Sequence, residues 1–387
     1  MTRRLTILGL GLAAIAFLLL VAMAGRRDLH GLTLVIRAAD LHGIGRRLAD
    51  LDTVTIRERL VDIPLRTGST QGRAYVPMTT ARQAVLLVSG LHPAGIDEPR
   101  LTALARRLAE ANVMVVTPQI PELSRFEVTP AVTDHIEDAA LWLATRSGLV
   151  PAGRIGLMGI SFGGGLAIVA AGRQSLKDRL LYVFSFGGHD DLRRVLEYFC
   201  TGLEGDRGGV APPVPHDYGV AIVLLNVAER LVQPEQLAPL REAVHRFLWA
   251  SYLDRFDKPG AEREFAALRD VARAMPEPAA TLLQYVNDRD VAHLGPRLRP
   301  YIDLYADRPG LSPARSLAPS ARVYLLHGRG DNVIPAAESE HLACRLRREV
   351  SVRLLVTDLI SHAEADQPAH ITDVAKLAAF WGDLLDR

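Results

Sequence analysis

The sequence predicts an α/β fold: a mostly parallel central sheet flanked by helices, broken by a helical insertion. Three observations predict it. Short continuous apolar runs, such as Ala84 to Val88 (AVLLV) and Val113 to Val116, read as strands buried on both faces, the habit of parallel sheets. Segments with helical periodicity lie between them, so that strand, loop and helix repeat. From about Asp190 to Pro319 the repeat stops and the chain turns mostly helical, over a stretch too long for a loop.

The chain opens with Leu5 to Gly25, an uncharged apolar stretch of about 20 residues, enough to cross a bilayer as a helix. Arg3 and Arg4 precede it and Arg26 and Arg27 follow it, so the positive-inside rule orients it only weakly. Its length favours an uncleaved membrane anchor, with the rest of the chain extracytoplasmic. Ala22-Met23-Ala24 before Gly25 supplies the other reading, a small-x-small cleavage site of a secretory signal. Residues 1–25 are therefore set apart from the fold.

Residues 26–52 read as a linker, with Asp40 to Leu51 as a short amphipathic helix. A core follows over 53–189. Thr53 to Leu65 alternates apolar and polar, Thr67 to Gln71 supplies turn residues and Gly72 to Val76 resumes the alternation, which predicts an antiparallel pair. Arg100 to Glu110 and Val132 to Thr145 have helical periodicity, the second with Asp134 and Glu137 near its start, where the dipole favours acids. Arg154 to Met158 is a buried strand, Gly164 to Ala171 a helix of small residues and Leu180 to Phe186 another strand. The helical insertion spans 190–319, with Leu192 to Tyr198, Val220 to Leu231, Glu235 to Leu253 and Ala261 to Ala274 as its clearest helices. The core resumes over 320–387 with strands at Val323 to Leu326 and Val352 to Val356, and helices at Ala336 to Arg347 and Asp373 to Leu384.

Composition narrows the function classes. Apolar residues make up 49% and charged residues 23%, ordinary for a globular protein. The 45 basic and 44 acidic residues nearly cancel, so no nucleic-acid footprint is present. Cys200 and Cys344 are the only cysteines, which excludes a disulfide-dense scaffold and a cysteine-rich metal site. Their pairing is not decided by sequence. His189-Asp190-Asp191 has no second cluster spaced to complete a metal site and reads as the polar end of a strand. No glycine-rich phosphate loop with a lysine occurs, so neither metal nor cofactor is expected.

The segment that carries chemistry is GISFGGG, Gly159 to Gly165, between a predicted strand and a predicted helix. Gly159-Ile160-Ser161-Phe162-Gly163 matches a G-x-S-x-G nucleophile elbow, and from Thr53 to the C-terminus the chain resembles the α/β-hydrolase family. At such an elbow the serine sits at a very tight turn. Gly159 and Gly163 relieve the clash between strand and helix, and the helix N-terminus supplies amide N–H groups and a positive dipole.

The resemblance implies an order of Ser, then Asp or Glu, then His. In VYLLHGRGDNVIP, a strand ends at His327-Gly328 and Asp331 follows in a loop that resembles the family's acid loop. An N-cap role for Asp331 competes, but it lies early for a helix starting near Pro335. In VRLLVTDLISHAEAD, His362 falls just past a strand, where the family places its histidine. Asp358 is a rival acid on the same short loop, and Glu364 reads as a solvated neighbour before a residue that tunes the site. The oxyanion needs two backbone N–H donors. Phe162 is one, and Leu91 in Ser89-Gly90-Leu91 is the other, where the family often has His-Gly-x. His92 next to it reads as a loop hydrogen-bonding residue before a substrate contact.

The resemblance therefore implies a serine hydrolase acting on small-molecule carboxylic esters, with Ser161, Asp331 and His362 as its triad and the insertion as a cap. A peptidase or amidase on the same triad is the alternative. Prolyl-oligopeptidase-like relatives carry a large β-propeller ahead of the hydrolase domain, for which this sequence has no room. A membrane-tethered binding protein without catalysis is a third reading, which the apparent triad disfavours. Acyl transfer to an acceptor other than water stays open.

Overall fold

The computed structural model describes residues 25–39, 43–146, 153–203, 214–308, 310–360 and 371–387. Its strands are β1 Ile56–Leu65, β2 Gly68–Pro77, β3 Gln83–Val88, β4 Val113–Pro118, β5 Ile155–Ile160, β6 Leu180–Phe186, β7 Arg322–Gly328 and β8 Val352–Thr357. They form one sheet in the order β1-β2-β4-β3-β5-β6-β7-β8. β1 with β2 and β2 with β4 are antiparallel, and the other pairings are parallel.

The pleat sorts the strand residues into two cores. Ala84, Leu86 and Val88 of β3 face one side, with Leu157, Val183 and Leu325 of its neighbours. There they meet the helices Pro130–Ala144 and Phe162–Ala171 and the insertion. Val85 and Leu87 face the other side, with Met158, Phe184 and Leu326, against the helices Pro99–Glu110 and Ile371–Leu385. Every residue of β3 and β4 is buried, as their unbroken apolar runs require.

Residues Arg26–Ala38, read from sequence as part of a linker, form a 13-residue helix packed on the C-terminal helix Ile371–Leu385. Glycine and β-branched residues blur its helical signal: Gly31 lies mid-helix, followed by Thr33, Val35 and Ile36. Gly31 is also what permits the contact, because a Cβ there would collide with the Ala378 carbonyl oxygen. Gly382 on the facing helix would meet the Arg27 carbonyl in the same way. Leu34 and Val35 then fall into the second core.

Between β6 and β7 the chain builds the helices Leu192–Thr201, Tyr218–Val227, Pro234–Leu253, Lys258–Ala274, Ala279–Asn287 and Val291–Leu298. Their contacts with the sheet fall on loops that follow strands. The His216 N–H donates to the Asn332 carbonyl after β7 at 2.9 Å. The Asn226 amide donates to the Phe126 carbonyl after β4 at 3.0 Å. The Tyr252 ring meets His92 after β3 edge-on, with centroids 4.5 Å apart. These helices therefore sit over the C-terminal edge of the parallel strands.

Candidate active site

Ser161 stands between the last residue of β5 and the helix Phe162–Ala171, with φ 53° and ψ −130°. Positive φ is costly for any residue with a Cβ. The surroundings hold it there: the Ser161 N–H donates to the Phe186 carbonyl at 2.7 Å, and the Gly164 N–H donates to the Ser161 carbonyl at 2.8 Å. A Cβ on Gly159 would strike the Gly163 carbonyl, and one on Gly163 would strike the Ser89 carbonyl. Both glycines are therefore required for the strand, the helix and the loop after β3 to approach this closely.

That loop brings Gly90 against the serine. A Cβ on Gly90 would stand 3.0 Å from Ser161 Cβ and 3.6 Å from Ser161 Oγ. Leu91 is the next residue, its side chain packed against the core. Phe162 begins the helix, so its N–H has no intrahelical acceptor. Its ring is buried and packs against His189, centroids 5.5 Å apart.

Asp331 lies in the loop after β7 and is 1% exposed. Its Oδ1 accepts the N–H groups of Val333, at 2.8 Å, and Ile334, at 3.0 Å. Its Oδ2 is 3.4 Å from where a Gly187 Cβ would stand, one residue past the Phe186 that holds Ser161. Asp358 is different in kind: it is exposed and pairs with Arg329 at the surface. His362 and Glu364 lie outside the described residues.

Sequence reasoning passed over His327. The residue is fully buried, with Nε2 2.8 Å from the Ile334 carbonyl and Nδ1 2.7 Å from Ser339 Oγ. A carbonyl only accepts, so Nε2 carries the proton and Nδ1 accepts from the hydroxyl. Nε2 also lies 3.4 Å from Asp331 Oδ2. His327 thus ties the Asp331 loop to the end of β7. The available signal was a histidine four residues before the candidate acid, at the end of a buried strand. Tyr218, from the insertion, was passed over too: burial, and then the nearby Asp331 charge, push its hydroxyl above the ordinary tyrosine value.

His92 accepts the Ala94 N–H on Nδ1 at 3.2 Å, the loop role expected of it, so Nε2 carries the proton. Burial is the main cause that lowers its pKa to about 4, and the Arg100 and Arg255 charges act the same way against Glu98. The ring is therefore neutral at pH 7. Beside it a groove of about 730 Å³ opens between the loops and the insertion, lined by Pro93, Phe126, Leu237, Ala238, His245 and Trp249 among others.

His189 donates from Nε2 to the Leu311 carbonyl at 2.8 Å, and Asp190 pairs with Arg194 and Arg345. These contacts fasten the start of the insertion. Among the described residues, no three His, Cys, Asp or Glu side chains are grouped as metal ligands. Cys200 is buried and Cys344 exposed, and neither is in a disulfide. No helix among the described residues is long and apolar enough to cross a membrane; Leu5 to Ala24 lie outside them.

No family model matches the chain, and no curated protein matches it. Solved structures do. An esterase of Pyrobaculum calidifontis is 17% identical, with 88% of each chain covered and a TM-score of 0.46. A dienelactone hydrolase of Anabaena variabilis is 16% identical, with 84% of this chain and 96% of that one covered and a TM-score of 0.42. An acylaminoacyl peptidase of Pyrococcus horikoshii is 14% identical, with 89% of this chain but 43% of that one covered and a TM-score of 0.45. By its own sheet order, its serine turn after β5 and its aspartate loop after β7, the chain has the α/β-hydrolase fold.

Proposed function

We propose that the chain is a serine hydrolase that cleaves carboxylic esters through an acyl-enzyme on Ser161. The observation that carries this reading is the backbone of Ser161. Asn112, Phe126 and Arg289 are also non-glycine residues at positive φ among the described residues, but none of them bears a nucleophile. Ser161 combines the strained conformation with a hydroxyl, a helix N-terminus and a buried carboxylate across the end of β6.

In this mechanism His362 takes the proton of Ser161 Oγ as Oγ bonds to the acyl carbon. The carbonyl oxygen gains the negative charge and accepts the N–H groups of Leu91 and Phe162. Collapse breaks the bond to the alcohol oxygen, which leaves with the proton from His362. Water then attacks the acyl-enzyme with the same histidine as base, and the carboxylic acid departs. Asp331 holds the His362 tautomer and stabilises its charged form. The two N–H bonds to Oδ1 fix that carboxylate, and its Oδ2 accepts from the imidazole.

The same reading keeps the chain on a membrane through Leu5 to Gly25, with the hydrolase domain extracytoplasmic. Sequencing the mature N-terminus tests this part: a chain that starts at Gly25 would refute the anchor in favour of a cleaved signal.

A panel of nitrophenyl esters set against peptide anilides tests the reaction class. Turnover of the esters, lost in Ser161→Ala, is expected. Faster turnover of the anilides would instead make the chain a peptidase or amidase, and no Ser161-dependent turnover of either would favour a binding protein.

A further inference from the structure

At the end of the molecule opposite Ser161, four arginines converge on one carboxylate. Asp383, in the C-terminal helix, is 2% exposed. Arg387 Nη2 lies 3.0 Å from its Oδ1, Arg353 Nη1 2.9 Å and Arg322 Nη2 3.2 Å from its Oδ2, and Arg27 pairs with Oδ1. The Tyr324 hydroxyl donates to Oδ2 at 3.0 Å. Asp28 adds a second negative charge near Arg353. Among the described residues named here, four positive charges thus face two negative ones.

One counter-ion for joining the N-terminal helix, the sheet and the C-terminal helix does not call for four guanidiniums. The excess has physical signs. Arg322 Nε is buried without an acceptor among the described residues. Burial holds the Arg353 guanidinium below its ordinary value, and the Arg27 and Arg322 charges act in the same direction against Tyr324 and Asp28. The four side chains nevertheless keep 30% to 43% of their surface exposed, so a ligand can reach them.

The position of the cluster bears on the ligand. Arg322 opens β7 and Arg353 is the second residue of β8, whereas Ser161, Gly187 and Asp331 follow the C-terminal ends of their strands. The two ends of β7 are roughly 20 Å apart at about 3.3 Å per residue. Arg27 is two residues beyond Gly25, where the uncharged stretch ends. Gly25, the first described residue, therefore lies two residues from this cluster, at the end of the molecule away from Ser161.

We propose that the arginine cluster binds the phosphate of an anionic phospholipid headgroup, seating the domain on the bilayer with Ser161 directed away from it. Guanidinium forks match phosphate oxygens in bidentate geometry and tolerate partial desolvation better than an ammonium. Basic residues next to a membrane segment favour anionic lipid. The inference rests on the membrane reading of Leu5 to Gly25 and is independent of the Ser161 chemistry.

The test uses the full chain in neutral detergent, titrated with dioctanoyl phosphatidylglycerol, dioctanoyl phosphatidylcholine or inorganic phosphate, with the thermal unfolding midpoint as readout. Phosphatidylglycerol is expected to raise the midpoint saturably and phosphatidylcholine much less. Arg322→Gln and Arg353→Gln are each expected to weaken the apparent affinity roughly fivefold, the effect of about one basic residue at a membrane surface. Arg353→Lys, which keeps the charge, is expected to retain most of it. Circular dichroism of each variant checks the fold, since Asp383 keeps three arginine partners in either glutamine variant. Equal responses to the two lipids, a response unchanged in both glutamine variants, or inorganic phosphate matching the lipid would each overturn the lipid site. The membrane reading is tested by the mature N-terminus and the chemistry by turnover, neither of which is read here, so failure of the lipid site is a result separate from failure of either.

Discussion

Ser161 and Asp331 are brought to the same step of the chain, the end of β6. The Ser161 N–H donates to the Phe186 carbonyl, and Asp331 Oδ2 lies 3.4 Å from where a Gly187 Cβ would stand. One strand end thus sets the spacing between the candidate nucleophile and the candidate acid, and conservative changes at either residue should separate chemistry from folding.

Asp331→Asn tests the acid. The asparagine oxygen still accepts the Val333 and Ile334 N–H groups, so the loop is expected to stay in place. Ester turnover is expected to fall by about 10⁴, the effect of losing tautomer control in a serine triad. Steady-state kinetics beside a thermal unfolding curve checks both halves of the statement.

His327→Phe tests the support of that loop. The change leaves the Ile334 carbonyl and Ser339 hydroxyl without their partner in a buried site. Each orphaned group costs about 1–3 kcal/mol. Urea unfolding should show the loss in the midpoint, and turnover should drop because the loop that carries Asp331 loses its tie to the end of β7.

Gly163→Ala places a methyl group into the Ser89 carbonyl and pushes the Ser89-Gly90-Leu91 loop away from Ser161. A displacement of about 1 Å at a catalytic group costs about 10²-fold in rate. The loss is expected mainly in kcat rather than KM, because the proposed Leu91 donor acts on the transition state.

His92 predicts an acid limb of stability. Its folded pKa of about 4 lies below the ordinary 6.5, chiefly because of burial. Between those values the unfolded chain takes up a proton that the folded chain refuses, so stability falls as pH drops from 6.5 towards 4 and this contribution levels off below. The size is on the order of 3 kcal/mol over the whole window. Urea unfolding at a series of pH values should show a flatter limb for His92→Gln than for the parent chain.

Gly31→Ala tests the N-terminal helix. The added methyl cannot fit against the Ala378 carbonyl without parting the two helices. Overpacking of this kind costs about 1–3 kcal/mol, to be read from thermal unfolding.

The central strands were legible in the sequence because burial on both faces leaves an unbroken apolar run, as in Ala84 to Val88 and Val113 to Val116. The elbow was legible because the strand-to-helix turn demands glycines at fixed offsets from Ser161. The place of Asp331, in the loop just after an apolar strand, was legible too. His327 was not, since its value lies in a loop folding back so that Ile334 and Ser339 reach its two ring nitrogens. Tyr218 reaches the Asp331 loop from more than a hundred residues away, a relation no local pattern carries. The helix Arg26–Ala38 was missed because the glycine that lets it dock is also the residue that weakens its helical signal.

The proposed chemistry depends on Ser161 being a nucleophile activated by His362. Labelling the purified chain with a fluorophosphonate and mapping the adduct by mass spectrometry tests it most directly. One adduct is expected, on Ser161, and it disappears in His362→Ala. Labelling that spares Ser161, or that survives unchanged in His362→Ala, would contradict it.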